Sequence, residues 1–224
     1  SRGAWAPVEK FGQDKHNAWS LVSQAADGFI VLQDGKEVAT VTWAPDSGVM
    51  GRHNQLNALA AIASANHIGI SPVDSARALA EFKNVKRRLE TIGVANDITV
   101  YDDFAHHPTA IATTVAGLRR RVGAARILAV IEPRSNTMKL GVMKQALPGS
   151  LQEADHVYCY SGGLNWNAAE ALAPLCNKAE VHADLDALIK AIVANARSGD
   201  QVLVMSNGGF GGIHEKLLKQ LGAH

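Results

Sequence analysis

"ITVYDDFAHHPTAIATTVAGLRRRVGAARILAVIE", residues 98–132, decides the reading of the fold. A short apolar run closes at Val100-Tyr101, as a buried strand would, and a polar loop follows it. Pro108 then suits the first position of a helix running through "PTAIATTVAGLRRRV". "RILAVIE" is again a continuous apolar run. Upstream, "VKRRLETIGVANDITVYDD" predicts a pair of strands around a turn at Asn96-Asp97, with Arg87 and Arg88 facing opposite ways in the first as a solvated charge pair. Downstream, "TMKLGVMKQAL" is predicted helical, "HVYCY" a strand, "NAAEALAPL" a short helix and "AEVH" a short strand. "DLDALIKAIVANA" is the clearest helix, with Leu185, Leu188, Ile189, Ile192 and Val193 at helical spacing and Ser198-Gly199 closing it. "QVLVMS" and "GIHEKLLKQL" complete the series. Short apolar runs covered by amphipathic helices predict an α/β, Rossmann-like, mainly parallel sheet with helices on both faces.

Before Phe82 the pattern differs. Phe29 to Trp43 holds two β-rich runs around Asp34-Gly35, a hairpin signal. An Ala-rich stretch, Gln55 to His67, predicts a helix with Leu56, Leu59, Ala60 and Ala63 on one face, ended by Gly69. A second short helix follows Pro72. Neither joins a βαβ rhythm, so a division is expected between 1–83, the edge of a larger domain, and 84–224. The opening "SRGAWAPVEKFG" has no initiating Met and no regular element, and reads as part of a longer protein.

Lys plus Arg number 22 and Asp plus Glu 21. That balance argues against nonspecific nucleic-acid binding. Cys159 and Cys176 are too few for a disulfide framework and are not spaced as zinc ligands, a usage that suits a reducing cytoplasm. No apolar run approaches a membrane span, and neither a signal peptide nor an internal repeat is expected from these residues.

Open α/β sheets bind ligands beyond the carboxyl ends of their strands. The segments that follow the predicted strands are "DDFAHHPT", "EPRSNTMK", "SGGLN" and "SNGGFGG"; the turns at the opposite ends read as plainer. Asp102, Asp103, His106 and His107 have metal-ligand chemistry, but neighbours in an extended segment diverge, so a helix-capping Asp and a turn-bonding His are the alternative. Arg134 is a bidentate carboxylate or phosphate binder, or else a surface residue beside an N-cap. "SNGGFGG" is either an anion cradle of backbone N–H groups at a helix start or a permissive turn. Asn54 and Asn57, three apart near a helix start, have the donors and acceptors to read an adenine edge, or serve as caps.

In order and spacing these segments resemble the Mur ligase family of ATP-dependent peptide-bond-forming enzymes of bacterial cell-wall synthesis. The family pattern stands here as Gly51-Arg52-His53-Asn54 with Asn57-Ala58, Phe82 with Arg87-Arg88-Leu89-Glu90, and Asp102 to Thr109. Within the family, "EPRSNTMKLG" and "SNGGFGG" look like the branch that joins UDP-N-acetylmuramate to the recycled tripeptide L-alanyl-γ-D-glutamyl-meso-diaminopimelate. The branch adding L-alanine alone has a more basic segment in place of the first. The resemblance implies that ATP phosphorylates the muramyl lactyl carboxylate and that the peptide amine attacks the acyl phosphate. It implies ATP contacts from Asn54 and Asn57 (adenine), Arg88 (phosphates) and Asp102 (ribose). It implies acceptor contacts from His107, Arg134, Asn136, Ser206, Asn207 and Phe210. The polar loop of the opening quotation is then a nucleotide and acceptor clamp, not a metal site.

Mg²⁺ is expected with the ATP, its ligands and the family's phosphate loop lying upstream. No G-x-x-x-x-G-K-[ST] occurs here, so the missing N-terminal and central domains are expected partners and the chain alone is expected to be inactive. The readings that compete are the L-alanine-adding ligase, a stand-alone nucleotide-binding module, and a metal-dependent hydrolase built on Asp102, Asp103, His106 and His107.

Overall fold

The computed structural model describes residues 5, 8–25, 28–44, 47, 49, 51–83 and 85–223; positions 1–4, 6 and 7 of the opening segment, and 84 at the expected boundary, lie outside them. The chain falls into two compact units, Ser1–Asn84 and Val85–His224.

The first unit has strands β1 (Phe11–Gly12), β2 (Trp19–Ala25), β3 (Gly28–Gln33) and β4 (Lys36–Thr42), and helices α1 (Arg52–His67) and α2 (Pro72–Ala80). The sheet order is β1-β2-β3-β4. The expected hairpin is present: Asp34 and Gly35 have φ of 49° and 74°, the positive pair that matches the twist of the flanking strands. Strand β2 went unread in the sequence, although Trp19 and Leu21 alternate inward. The expected helix face is rotated. Gln55, Ala58, Leu59 and Ile62 are buried, while Leu56 and Ala63 pack only partly. The cause is Gln55, whose Nε2 donates to the Gly28 carbonyl (3.0 Å) while its Oε1 accepts from Ser23 Oγ (2.8 Å). A buried amide with both ends satisfied avoids the cost of an unmet hydrogen bond and so can face the core. The segment read as irregular contains β1, paired in parallel with β2.

The second unit contains β5 (Glu90–Ala95), β6 (Ile98–Asp103), α3 (Pro108–Val122), β7 (Ile127–Ile131), α4 (Asn136–Lys139), α5 (Leu147–Ser150), β8 (His156–Tyr160), α6 (Ala168–Leu172), β9 (Ala179–His182), α7 (Leu185–Asn195), β10 (Gln201–Met205) and α8 (Ile213–Leu221). The six strands run β5-β6-β10-β7-β8-β9, all parallel except β5, which is antiparallel to β6. The last strand therefore inserts between the two runs of the opening quotation, where Val202, Leu203 and Val204 are fully buried. Val100, Val130, Tyr158, Val202 and Val204 meet Leu188, Ile189 and Ile192 of α7 and Ile213, Leu217 and Leu221 of α8. Alternate strand residues point the other way, and Ile131 and Met205 lie beside Ile111 of α3 and Leu147 of α5.

Two expectations are corrected. "TMKLGVMKQAL" is not one helix. It breaks into α4, a 3-10 turn at Lys144–Ala146 and α5, because Gly141 turns the chain through a left-handed φ of 73°. Nor do Arg87 and Arg88 lie in a strand: β5 starts at Glu90, and φ of 60° at Arg87 and 50° at Leu89 coils the segment before it. No helix among the described residues is long and apolar enough to cross a membrane.

Candidate functional site at the carboxyl rim of the sheet

The parallel register aligns Asp103, Met205, Ile131 and Cys159, so the loops after β6, β10, β7 and β8 leave the sheet along one rim. Asp102 and Asp103 end β6 on opposite faces and meet different surroundings. Asp102 is 7% exposed; Arg87 Nε donates to its Oδ2 (3.0 Å), and His214 Nε2 lies 3.3 Å from Oδ1 without forming a hydrogen bond. Burial alone would raise this carboxyl, but the nearby His214 and then Arg87 outweigh it and hold it below its ordinary value. Asp103 behaves oppositely. Burial raises it despite N–H donors at Ala105 (2.7 Å) and Leu89 (2.8 Å) and the Thr114 hydroxyl (3.2 Å).

The two histidines do local work. His107 caps α3, its Nδ1 accepting from Thr109 N–H, and His106 Nδ1 lies 2.9 Å from the Phe104 carbonyl. The capping expected of an Asp is thus carried by His107. These four side chains turn to separate partners, and among the described residues no group of three or more His, Cys, Asp or Glu is placed to hold a metal.

Arg87 is the largest surprise. Rather than a solvated charge, it ties two loops together: besides Asp102, its Nη2 donates to the carbonyls of Ser206 and Gly208, the latter at 2.9 Å. Its guanidinium carbon lies 5.1 Å from the centre of the Phe104 ring. Arg88 sits in the same coil, 6.0 Å from that ring, and its charge acts on Asp103.

The turn after β10 is built on Ser206, which is fully buried. Its hydroxyl donates to Glu132 Oε2 and accepts from Gly208 N–H (2.9 Å), so it shapes the turn instead of facing a ligand. Phe210, 2% exposed and with its ring 5.7 Å from that of Tyr160, is likewise core. The side chains of both expected acceptor contacts, Ser206 and Phe210, are thus buried as supports of the turn. Asn207 keeps a buried Oδ1 with no hydrogen-bond partner. After β7, Ser135 caps α4 by accepting from Met138 N–H (3.4 Å), leaving Arg134 and Asn136 exposed on either side. Arg134 is more than a surface residue, for its side chain lies against Gly208. The neighbouring loop is pinned by Trp166, whose Nε1 donates to the Met138 carbonyl (2.6 Å) and whose ring covers Gly141.

In the first unit, Gly51 occupies the N-cap of α1 and no side chain caps it. Asn54 and Asn57 lie inside the helix, half-buried and exposed respectively, so the capping alternative fails. Sequence reading gave no individual role to Glu132, Trp166, Gly208 or His214 and took Arg87 for a solvated charge. Arg87, Glu132 and Gly208 did carry a signal, as members of the Arg-Arg pair, "EPRSNTMK" and "SNGGFGG"; Trp166 and His214 carried none.

A family profile described as Mur ligase, glutamate ligase domain, matches residues 87–208. The UDP-N-acetylmuramate–L-alanyl-γ-D-glutamyl-meso-2,6-diaminoheptandioate ligase of Escherichia coli strain K12 is 48% identical over 221 residues, which is 98% of this chain and 48% of that protein. The crystal structure of a murein peptide ligase from Psychrobacter arcticus 273-4 superposes with a TM-score of 0.74 at 41% identity, covering 100% of this chain and 48% of that one. A UDP-N-acetylmuramate–L-alanine ligase from Caldicellulosiruptor bescii is 40% identical, but over 109 residues, 49% of this chain and 24% of that protein. The chain thus spans about half the length of the curated relatives it matches at full coverage.

Proposed function

The chain belongs to the Mur ligase family, and from that membership we propose that it forms the C-terminal half of a cytoplasmic, ATP-dependent ligase. That enzyme joins UDP-N-acetylmuramate to the recycled tripeptide L-Ala-γ-D-Glu-meso-diaminopimelate. Residues 1–83 belong to its central ATP-binding domain and 84–224 to its C-terminal Rossmann-like domain. The observation that carries the reading is Arg134, an exposed guanidinium laid on the glycine turn of the carboxyl rim with Asn136 beside it. A planar fork of N–H donors suits a carboxylate, and the tripeptide carries several where L-alanine carries one.

In the reaction, the γ-phosphoryl of ATP passes to the lactyl carboxylate. The peptide amine then attacks the carbonyl carbon, the amide C–N bond forms, and phosphate leaves with the electron pair of the broken C–O bond. Bound Mg²⁺ would neutralise phosphate charge. Its ligands are expected upstream of this chain. Arg88 supplies positive charge at the phosphates, and Asn54 and Asn57 face the adenine. Asp102 takes the ribose through Oδ1, the oxygen without a hydrogen bond in the fold, which requires His214 to give way. Arg134, Asn136, Asn207 and His107 orient the acceptor. Most of the gain comes from positioning and charge neutralisation.

The test is ADP release by the full-length protein with UDP-N-acetylmuramate and ATP, started by tripeptide or by L-alanine. Tripeptide alone is expected to start it, and Arg134→Ala to lower kcat/KM for tripeptide about 100-fold, the worth of a charge-assisted pair. Preferential use of L-alanine would give the chain to the other branch. The 224-residue chain by itself is expected to release none.

A further inference from the structure

Four glycines crowd the turn after β10, and they are glycine for different reasons. Gly211 and Gly212 have φ of 58° and 70°, a left-handed backbone in which a side chain is strained. Gly209 has an ordinary φ of −78°, and a Cβ there would meet nothing within 4 Å. Gly208 is the odd one. Its φ is outside the left-handed range, so any residue could trace the turn. Yet a Cβ at 208 would fall 2.4 Å from Arg134 Nη1 and 2.8 Å from its Cδ and Cζ. Real Cβ atoms do not come so close to a heavy atom, so a side chain and Arg134 in its present place exclude one another.

The turn is itself held from behind. Arg87 Nη2 donates to the Gly208 carbonyl (2.9 Å), and the Gly208 N–H donates to Ser206 Oγ (2.9 Å), which is tied to Glu132. Gly208 is thus anchored on both sides of its peptide and cannot retreat from an added methyl at little cost. Arg134, exposed and on a flexible stem, must move instead.

We infer that Gly208 is a positioning residue for the acceptor: the missing side chain is the seat that aims the Arg134 guanidinium along the turn. This rests on the function proposed above only for the identity of the ligand that Arg134 meets.

The seat is tested in the full-length ligase by Gly208→Ala, Arg134→Ala and the double variant. Gly208→Ala is expected to raise the tripeptide KM about tenfold, the loss of one well-aimed charge-assisted contact, with a smaller change in kcat. In the Arg134→Ala background the same substitution is expected to add less than about twofold, because residues that act as one unit are non-additive. Gly209→Ala should cost less than Gly208→Ala. Crystal structures of the wild type and Gly208→Ala give a readout independent of any substrate, with Arg134 expected off the turn in the variant. Full additivity of the two changes, or Arg134 unmoved, would overturn the seat. If the wild type ignores the tripeptide, the functional reading fails while the crystal structures still decide the seat.

Discussion

The two ends of the parallel strands in the second unit are both lined with arginine and aspartate, yet they use them differently. At the amino ends, Arg126 Nη1 lies 3.3 Å from Asp200 Oδ2, the same oxygen that accepts from Arg197 N–H (2.9 Å). Arg119 pairs with Asp155, whose Oδ2 also receives Ile127 N–H (2.8 Å). These turns are not plainer than those of the other rim. Their charges are simply consumed in closing strand starts and a helix end. At the carboxyl ends, Arg87 is consumed in the same way, and His214 Nε2 faces Asp102 Oδ1 at 3.3 Å as Arg126 faces Asp200, but Arg134 and Asn136 stay exposed and Asn207 Oδ1 lacks a hydrogen bond. Charge does not mark the candidate rim. What sets it apart is an exposed Arg134 and Asn136 beside a turn whose Asn207 Oδ1 has no hydrogen-bond partner.

That contrast has consequences that differ in size. The largest is Arg126→Ala, which strands Asp200, only 2% exposed, with a single backbone donor. Breaking a largely buried pair from one side is expected to cost about 2 kcal/mol, lowering the melting temperature by roughly 5 °C. Acceptor KM should hold, and a rise in KM at unchanged stability would erase the distinction between the rims.

Next is the acid response of the two neighbouring aspartates. Asp102 is held below 3.8, so its contribution to stability is full above that value and disappears as pH falls through the lower folded value. Asp103 is raised above 3.8, so its contribution is present below that value and is lost as pH rises through the folded one. Urea unfolding between about pH 3 and pH 6 should therefore show the gap between wild type and Asp102→Asn shrinking on acidification. The gap to Asp103→Asn should widen. Parallel trends would mean that the two side chains share one environment.

The smallest is Trp166→Phe. It keeps a ring over Gly141 but removes the hydrogen bond to the Met138 carbonyl, for about 1 kcal/mol. A tripeptide KM raised two- to threefold, with little change in kcat, would show that the loop carrying Arg134 is steadied by its neighbour. No change would confine Trp166 to packing.

Much of this was legible in residue order. Asp34-Gly35 and Asn96-Asp97 are turns because few other pairs accept two positive φ values, a local property that sequence displays. ILAVI, and VLVM after Gln201, are unmixed apolar runs because both faces are covered. The helix predicted across "TMKLGVMKQAL" failed because its apolar spacing ignored what Gly141 does beneath the Trp166 ring, a contact from another loop. Arg87 was misread because its partners Asp102, Ser206 and Gly208 are far along the chain.

By itself, then, the sequence determined the α/β class, the two differing halves and the family, and it singled out the candidate rim. These rest on periodicity, turn chemistry and motif order, all carried by neighbouring residues. Tertiary structure alone decided that β10 sits between β6 and β7, that Ser206 and Phe210 support the turn, and that a side chain at Gly208 would collide with Arg134. The physical reason is range. A hydrogen bond or a steric exclusion acts over a few ångströms of space, and only the folded chain brings residues 87, 134 and 208 within that distance.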